Sequence, residues 1–153
     1  MHVGTWQGAY RGLLPDEHLD ALDVVRWTAG WQRLLTAERP RSATLVALAG
    51  GRVVGFVDVV PSRDDDAAPD TGEVTSIYVL PTAWGTGSGR VLMAAAVDSL
   101  RSEGFRAATL WVLRDNERTR RFYERAGWVP DGDEKDDFVA GATVSEVRYR
   151  RGL

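Results

Sequence analysis

The sequence contains no cysteine. That absence removes disulfides, a thiolate nucleophile and cysteine-built metal sites together. Histidine is scarce as well. His2 and His18 are the only two, too few for a histidine-built centre, so no metal is expected. No run of 18 apolar residues occurs and no leader pattern opens the chain. A cytoplasmic protein with no membrane partner is therefore expected. There is no excess of positive charge either: the formal net charge of −3 weighs against a nucleic-acid partner. No internal repeat or low-complexity tract is present. The length of 153 residues suits a single domain over 1–153, one that buries roughly 70% of its unfolded surface in a sizeable core.

What the sequence does contain is a glycine-rich junction. Glu73 to Val79 is β-branched and aromatic, which favours a strand. Val91 to Val97 reads as a helix. Between them, Trp84-Gly85-Thr86-Gly87-Ser88-Gly89-Arg90 places glycine at alternate positions. Glycine allows tight turns and close approach of backbone to ligand. A helix starting there directs free N–H groups and a positive dipole end into the loop, which suits a phosphate or pyrophosphate. An ordinary strand-to-helix turn would carry the same glycines.

Residues 1–38 read as amphipathic helix. His2, Trp6 and Tyr10 recur every four residues and share a face. Trp6, Tyr10, Trp27 and Trp31 suit either core packing or the wall of an acceptor pocket, and His18 suits a helix surface. Residues 44–49 and 52–60 read as a hairpin turned by Gly50-Gly51. Residues 61–72 form a polar loop carrying Asp64-Asp65-Asp66 and Asp70, expected to be solvated. Gly104 stops the helix after the glycine junction. Ala107 to Leu113 is nearly all apolar, as in a central strand covered on both faces, and strand–helix–strand implies a right-handed parallel crossover. Asn116 reads as an N-cap. Thr119, Phe122, Tyr123 and Ala126 fall on one helix face, and Gly127 ends that helix. Trp128 to Pro130 is a short extended piece, 131–137 an acidic loop, and 143–150 an alternating closing strand.

Two stretches in this order resemble the GNAT superfamily of acyl-CoA-dependent N-acyltransferases. One is Ile77-Tyr78-Val79-Leu80-Pro81 followed by Trp84-Gly85-Thr86-Gly87-Ser88-Gly89-Arg90, similar to the family's (Arg/Gln)-x-x-Gly-x-(Gly/Ala) loop. The other is Asn116 to Trp128, similar to its Asn…Phe-Tyr…Gly-(Phe/Trp) segment. The resemblance implies an α/β (α+β) fold: a mixed, mostly antiparallel sheet with a parallel pair at the cofactor cleft and helices on both faces. Two departures stand out. Trp84 occupies the position where the family usually has Arg or Gln. The family's first strand is absent, which leaves a sheet edge near residues 44–49 and raises the expectation of a homodimer.

The resemblance further implies acetyl transfer from acetyl-CoA, as co-substrate, to a primary amine on a small molecule or peptide. The backbone of Ile77, Tyr78 and Val79 would pair with the pantetheine arm. The loop from Trp84 to Arg90 would hold the pyrophosphate, with Asn116 and Tyr123 also at the cofactor. An alkylammonium of pKa ~10.4 is only about one part in a thousand neutral at pH 7, so a base is needed. Glu73 is the candidate, through water, with Asp58 in reserve. Strict alternation puts Glu73 on the face of Ile77 and Val79 unless a bulge intervenes. The Val79 amide is the oxyanion donor, and Tyr123 the acid that protonates the departing thiolate. A Rossmann reading fits less well, because Arg90 stands where its third glycine belongs. A P-loop reading fails for want of Gly-Lys-(Ser/Thr). A catalytically silent acyl-CoA-binding module on the same fold is the alternative. The acidic loops at 64–70 and 131–137 would steer a cationic amine.

Overall fold

A computed structural model of the chain describes residues 1–139 and 141–153. Three helices come first: α1 (His2–Ala9), α2 (Asp16–Asp20) and α3 (Val24–Thr36). The strands are β1 (Ala43–Ala49), β2 (Arg52–Pro61), β3 (Thr71–Val79), β4 (Ala107–Leu113), β5 (Val129–Val139) and β6 (Ala142–Gly152). A 3₁₀ turn (Pro81–Ala83) and α4 (Ser88–Ser102) link β3 to β4, and α5 (Glu117–Arg125) precedes β5. One sheet runs in the order β1-β2-β3-β4-β6-β5. Every pairing is antiparallel except β3 with β4. The mixed, mostly antiparallel sheet expected from the sequence is therefore present, with β1 at one edge.

Alternation along the strands sorts the two faces. Val57, Val59, Ala108, Leu110, Val112, Val147 and Tyr149 point to one side. There they meet Leu92, Met93, Ala96, Val97 and Leu100 of α4, with Tyr123 and Trp128 from the α5 region. This is the main core, and Trp128 and Tyr149 are its largest fully buried side chains. The opposite face of the sheet carries α1 to α3. Leu14 and Leu19 pack there with Leu113 in a smaller cluster. α3 buries none of its residues fully, so a large space remains between it and the sheet.

The sheet divides at its middle. β3 and β4 pair only over Thr71–Glu73 and Ala107–Thr109, though both strands continue beyond. Past Glu73 they part, and the backbone of β3 facing β4 is left unpaired. Leu80 donates its N–H to the Val54 carbonyl on β2, 2.8 Å. By alternation the N–H groups of Val79 and Ile77 face the opposite way, into the fork.

One strand is a correction. The acidic stretch 131–137 is not a loop but the middle of β5, paired with β6 from Glu134↔Val147 to Val139↔Ala142. Gly, Asp and Glu are poor strand formers in isolation. On an edge strand, however, charge suits the exposed position and discourages pairing with other chains, and the register shift between Pro130 and Glu134 absorbs Gly132.

Candidate active site

Local backbone geometry decides which face Glu73 occupies. Asp58 pairs with Ser76 but Val59 with Val74, so Thr75 is the extra residue of a β-bulge. The bulge reverses the alternation. Val74, Ile77 and Val79 all belong to the main core, while Glu73 shares the other face with Tyr78. Glu73 therefore sits at the vertex of the fork on the side of α1 to α3, 2% exposed. It is not free there. Arg63 donates from its backbone N and from Nε to Oε2 (3.0 and 3.1 Å), and from Nη2 to Oε1 (2.6 Å). Asp58, the reserve base, is more fully engaged. Its carboxylate accepts from Arg39 Nη1 and Nη2 (3.0 and 2.7 Å), Thr44 Oγ1 (2.6 Å) and Thr75 Oγ1 (3.0 Å). Four such bonds leave no lone pair suited to take a proton from an amine, and Asp58 is withdrawn as a base.

Tyr123 reaches the fork from α5. Burial pushes its phenol above the ordinary value of 10, with a smaller contribution from Tyr10. It makes no hydrogen bond among the described residues. Across the fork, the hydroxyls of Tyr10 and Tyr78 lie 3.1 Å apart, and burial likewise raises the Tyr78 phenol. Glu146 on β6 is a residue that sequence reasoning passed over. Burial raises its carboxyl above the usual range, and the negative charges of Asp137 and Glu73 add to that. Lys135, 3.5 Å away, acts in the opposite direction. Its only sequence signal was an acidic residue on the polar side of an alternating strand.

The glycine junction forms as expected, with a refinement. Gly85 and Gly87 have φ of +78° and +93°, and Gly87 is the left-handed N-cap of α4. Gly89 has no such requirement. A Cβ there would stand 3.5 Å from Phe122, an ordinary contact. Thr86 Oγ1 donates to the Ala83 carbonyl (2.7 Å) and lies 2.9 Å from Ser88 Oγ, which orders the loop. The first N–H groups of α4, at Ser88, Gly89 and Arg90, are left for a ligand. Trp84 donates from Nε1 to the Val79 carbonyl, 2.8 Å, and the guanidinium of Arg118 lies 3.6 Å from its ring centre. Asn116 caps α5 by accepting the Thr119 amide on Oδ1, 3.2 Å. Its Nδ2 makes no hydrogen bond among the described residues.

Between α3 and the sheet lies a cavity of about 850 Å³, with His2, Trp6, Trp27 and Trp31 among its lining residues. These aromatics surround His2, the ring of Trp27 4.3 Å and that of Phe56 4.9 Å from it. Burial lowers the His2 imidazole from 6.5 to about 4, the N-terminal charge adding to this, so the ring is neutral at pH 7. Trp31 and Trp6 line this cavity, and Trp6 also packs against the smaller core cluster.

The acidic loops are already occupied. Arg148, 7% exposed, holds Asp66 at 2.7 Å, Asp131 at 2.7 Å and Asp64 at 3.4 Å, and also pairs with Asp133. The run 64–66 is thus mostly a tether rather than a solvated tail. Among the described residues no group of acidic and histidine side chains is placed to hold a metal, and no helix is long and apolar enough to cross a membrane.

Comparison with known proteins agrees with this arrangement. An N-acetyltransferase of Archaeoglobus fulgidus is 32% identical over 122 residues, 79% of this chain and 80% of that protein. An N-acetyltransferase of Mycobacterium tuberculosis is 32% identical over 93 residues, 61% of this chain and 56% of that protein's length. The chain thus matches little more than half of the mycobacterial relative. Among solved structures, the PaiA N-acetyltransferase of Thermoplasma acidophilum in complex with coenzyme A shares the fold. Its TM-score is 0.69 at 18% identity, over 99% of this chain and 87% of that one. The model of the acetyltransferase (GNAT) family matches residues 6–128. With its forked sheet and glycine junction, this chain belongs to the acetyltransferase (GNAT) family.

Proposed function

We propose that the protein transfers an acetyl group from acetyl-CoA to a primary amine by direct attack within a ternary complex. The observation that carries this reading is the fork. Unpaired β3 backbone lies beside a free α4 N-terminus and Tyr123 of α5, and a separate aromatic-lined cavity between α3 and the sheet reaches β3 at Thr75 and Ser76. The N–H groups of Ile77 and Val79, beside Tyr78, receive the pantetheine arm as an added strand. The loop from Trp84 to Arg90 takes the pyrophosphate, and Asn116 contacts the cofactor through Nδ2.

The cavity takes the acceptor. Its walls of His2, Trp6, Trp27 and Trp31 favour an amine carried on an apolar or aromatic body. Steering of a cationic acceptor by the acidic stretches is not part of this reading, because Arg148 gathers Asp64, Asp66, Asp131 and Asp133 into one structural cluster. Glu73, on the acceptor face by virtue of the Thr75 bulge, receives the amine's proton through water. Arg63 holds it in place. The Val79 N–H donates to the carbonyl oxygen as negative charge develops there. Tyr123, protonated at neutral pH, gives its proton to the departing thiolate. The open edge of β1, with Val46 and Leu48 exposed, supports a homodimer.

Calorimetric titration with acetyl-CoA, with NAD and ATP as controls, tests the cofactor site. Micromolar binding of acetyl-CoA alone is expected, followed by thiol release with an arylalkylamine such as 2-phenylethylamine. Tight binding without transfer to any amine of a broad panel would establish the silent module instead. No binding would remove the reading.

A further inference from the structure

The departure at Trp84 poses a physical problem. Two negative charges of a pyrophosphate would approach a loop whose first side chain is an uncharged indole. A helix dipole contributes only weakly at an exposed site, and the resembled family's loop usually adds an Arg or Gln side chain able to donate to the anion.

The structure contains a replacement that adjacency in sequence does not reveal. Arg118 lies in the first turn of α5, and its guanidinium stands 3.6 Å above the Trp84 ring. α5 packs directly against the junction, since Phe122 lies beside Gly89. Beside it on α5, Arg121 pairs with Glu117 at 3.0 Å and Arg120 bonds Tyr149 and the Arg114 carbonyl; Arg90, exposed in the loop itself, is the other cation at the junction. Arg118 has no carboxylate within ion-pair distance among the described residues. Stacking on an aromatic face orients a guanidinium and leaves its edge donors free. Trp84 is itself fixed by its bond to the Val79 carbonyl.

We infer that Arg118, shelved on Trp84, is a cationic side chain that binds the pyrophosphate of the acyl-CoA. Trp84 is a positioning residue, and α5 supplies a charge in addition to that of Arg90 in the loop. The inference rests on the cofactor reading above. It predicts a guanidinium able to bond two phosphate oxygens in parallel, and Lys, a point charge that stacks poorly, as an inadequate substitute.

The test is calorimetric titration of the full chain and its variants with CoA at low and physiological salt. Arg118→Ala is expected to weaken CoA binding ten- to a hundredfold and to flatten its salt dependence. Arg118→Lys is expected to recover less than half of that loss on a logarithmic scale. Because Arg118 is exposed, these variants are expected to keep the wild-type melting temperature. Trp84→Ala should weaken binding too, and in that background Arg118→Ala should cost clearly less than it does alone. A second readout isolates the phosphates: kcat/KM with S-acetylpantetheine, which lacks them, should be the same for wild type and Arg118→Ala. CoA affinity within twofold of wild type in Arg118→Ala overturns the assignment of Arg118 while leaving the cofactor reading intact. An equal loss with S-acetylpantetheine overturns it as well. Absence of CoA binding by the wild type removes the cofactor reading and this assignment with it.

Discussion

Tyr123 and Glu73 occupy opposite faces of one fork, and their environments differ in a way that suits the roles proposed for them. Burial raises the Tyr123 phenol, so it remains a proton donor throughout the neutral and mildly alkaline range. A phenol raised above its ordinary value loses its proton only at higher pH. The rate should accordingly rise with pH as the acceptor amine deprotonates, with no decline attributable to Tyr123 below about pH 10. Tyr123→Phe should lower kcat by about 10²–10⁴-fold and leave the dissociation constant for acetyl-CoA nearly unchanged, as read by steady-state kinetics and calorimetry. Unchanged turnover would remove the acid role. Glu73 is held in place by Arg63 at 2.6 Å, while burial raises the Glu146 carboxyl. Glu73→Gln is expected to reduce kcat/KM by about 10²-fold or more, and Glu146→Gln by less than about tenfold. The reverse order would assign the proton to Glu146. Both Tyr123 and Glu73 were singled out from the sequence as candidates. The partner of Glu73 was not, because Arg63 lies across a loop and carries no local signature.

At the scale of elements, the motifs that depend on local backbone demands were the readable ones. Helix ends at Gly104 and Gly127, the Asn116 cap and the hairpin at Gly50-Gly51 follow from steric and hydrogen-bonding needs within a few residues, and each is present. The bulge at Thr75 and the strand character of β5 depend on what lies alongside, and periodicity alone does not show them. The glycine junction separates the two kinds of information. Gly87 holds φ at +93° as the cap of α4, whereas Gly89 is in an ordinary conformation. A left-handed conformation costs an L-residue roughly 1–2 kcal/mol. Gly87→Ala should therefore shift the loop and weaken acetyl-CoA binding by about tenfold. Gly89→Ala should stay within about twofold, its added methyl resting on Phe122. Calorimetry on both variants checks the contrast. Equal effects would mean that crowding of the ligand, rather than backbone strain, accounts for the glycines.

Across the whole molecule, one buried cation ties together segments that are distant in sequence. Arg148 on β6 gathers Asp64 and Asp66 from the β2–β3 connection and Asp131 and Asp133 from β5. Trp111 of β4 supports the same knot by donating to Asp64, 2.9 Å. The sequence showed two acidic stretches and a basic strand but not their convergence, because only the folded sheet brings β6 between them. Removing one partner of a buried ion pair leaves uncompensated charge, at a cost of about 3–5 kcal/mol. For a domain of this size that corresponds to a melting temperature lower by roughly 6–20 °C for Arg148→Met at pH 7. The pH dependence should then reverse in sign. In the wild type, Arg148 holds the Asp66 carboxyl below its ordinary value. Stability from that pairing is full above the usual carboxylate range and is lost as pH falls through the lowered value. In Arg148→Met the same four carboxylates repel one another, so protonating them relieves the strain. The gap in melting temperature between the two proteins should narrow steadily from pH 7 to about pH 4, as followed by circular dichroism. A gap that holds constant over that range would mean that Arg148 acts through packing of its stem against Trp111 rather than through charge.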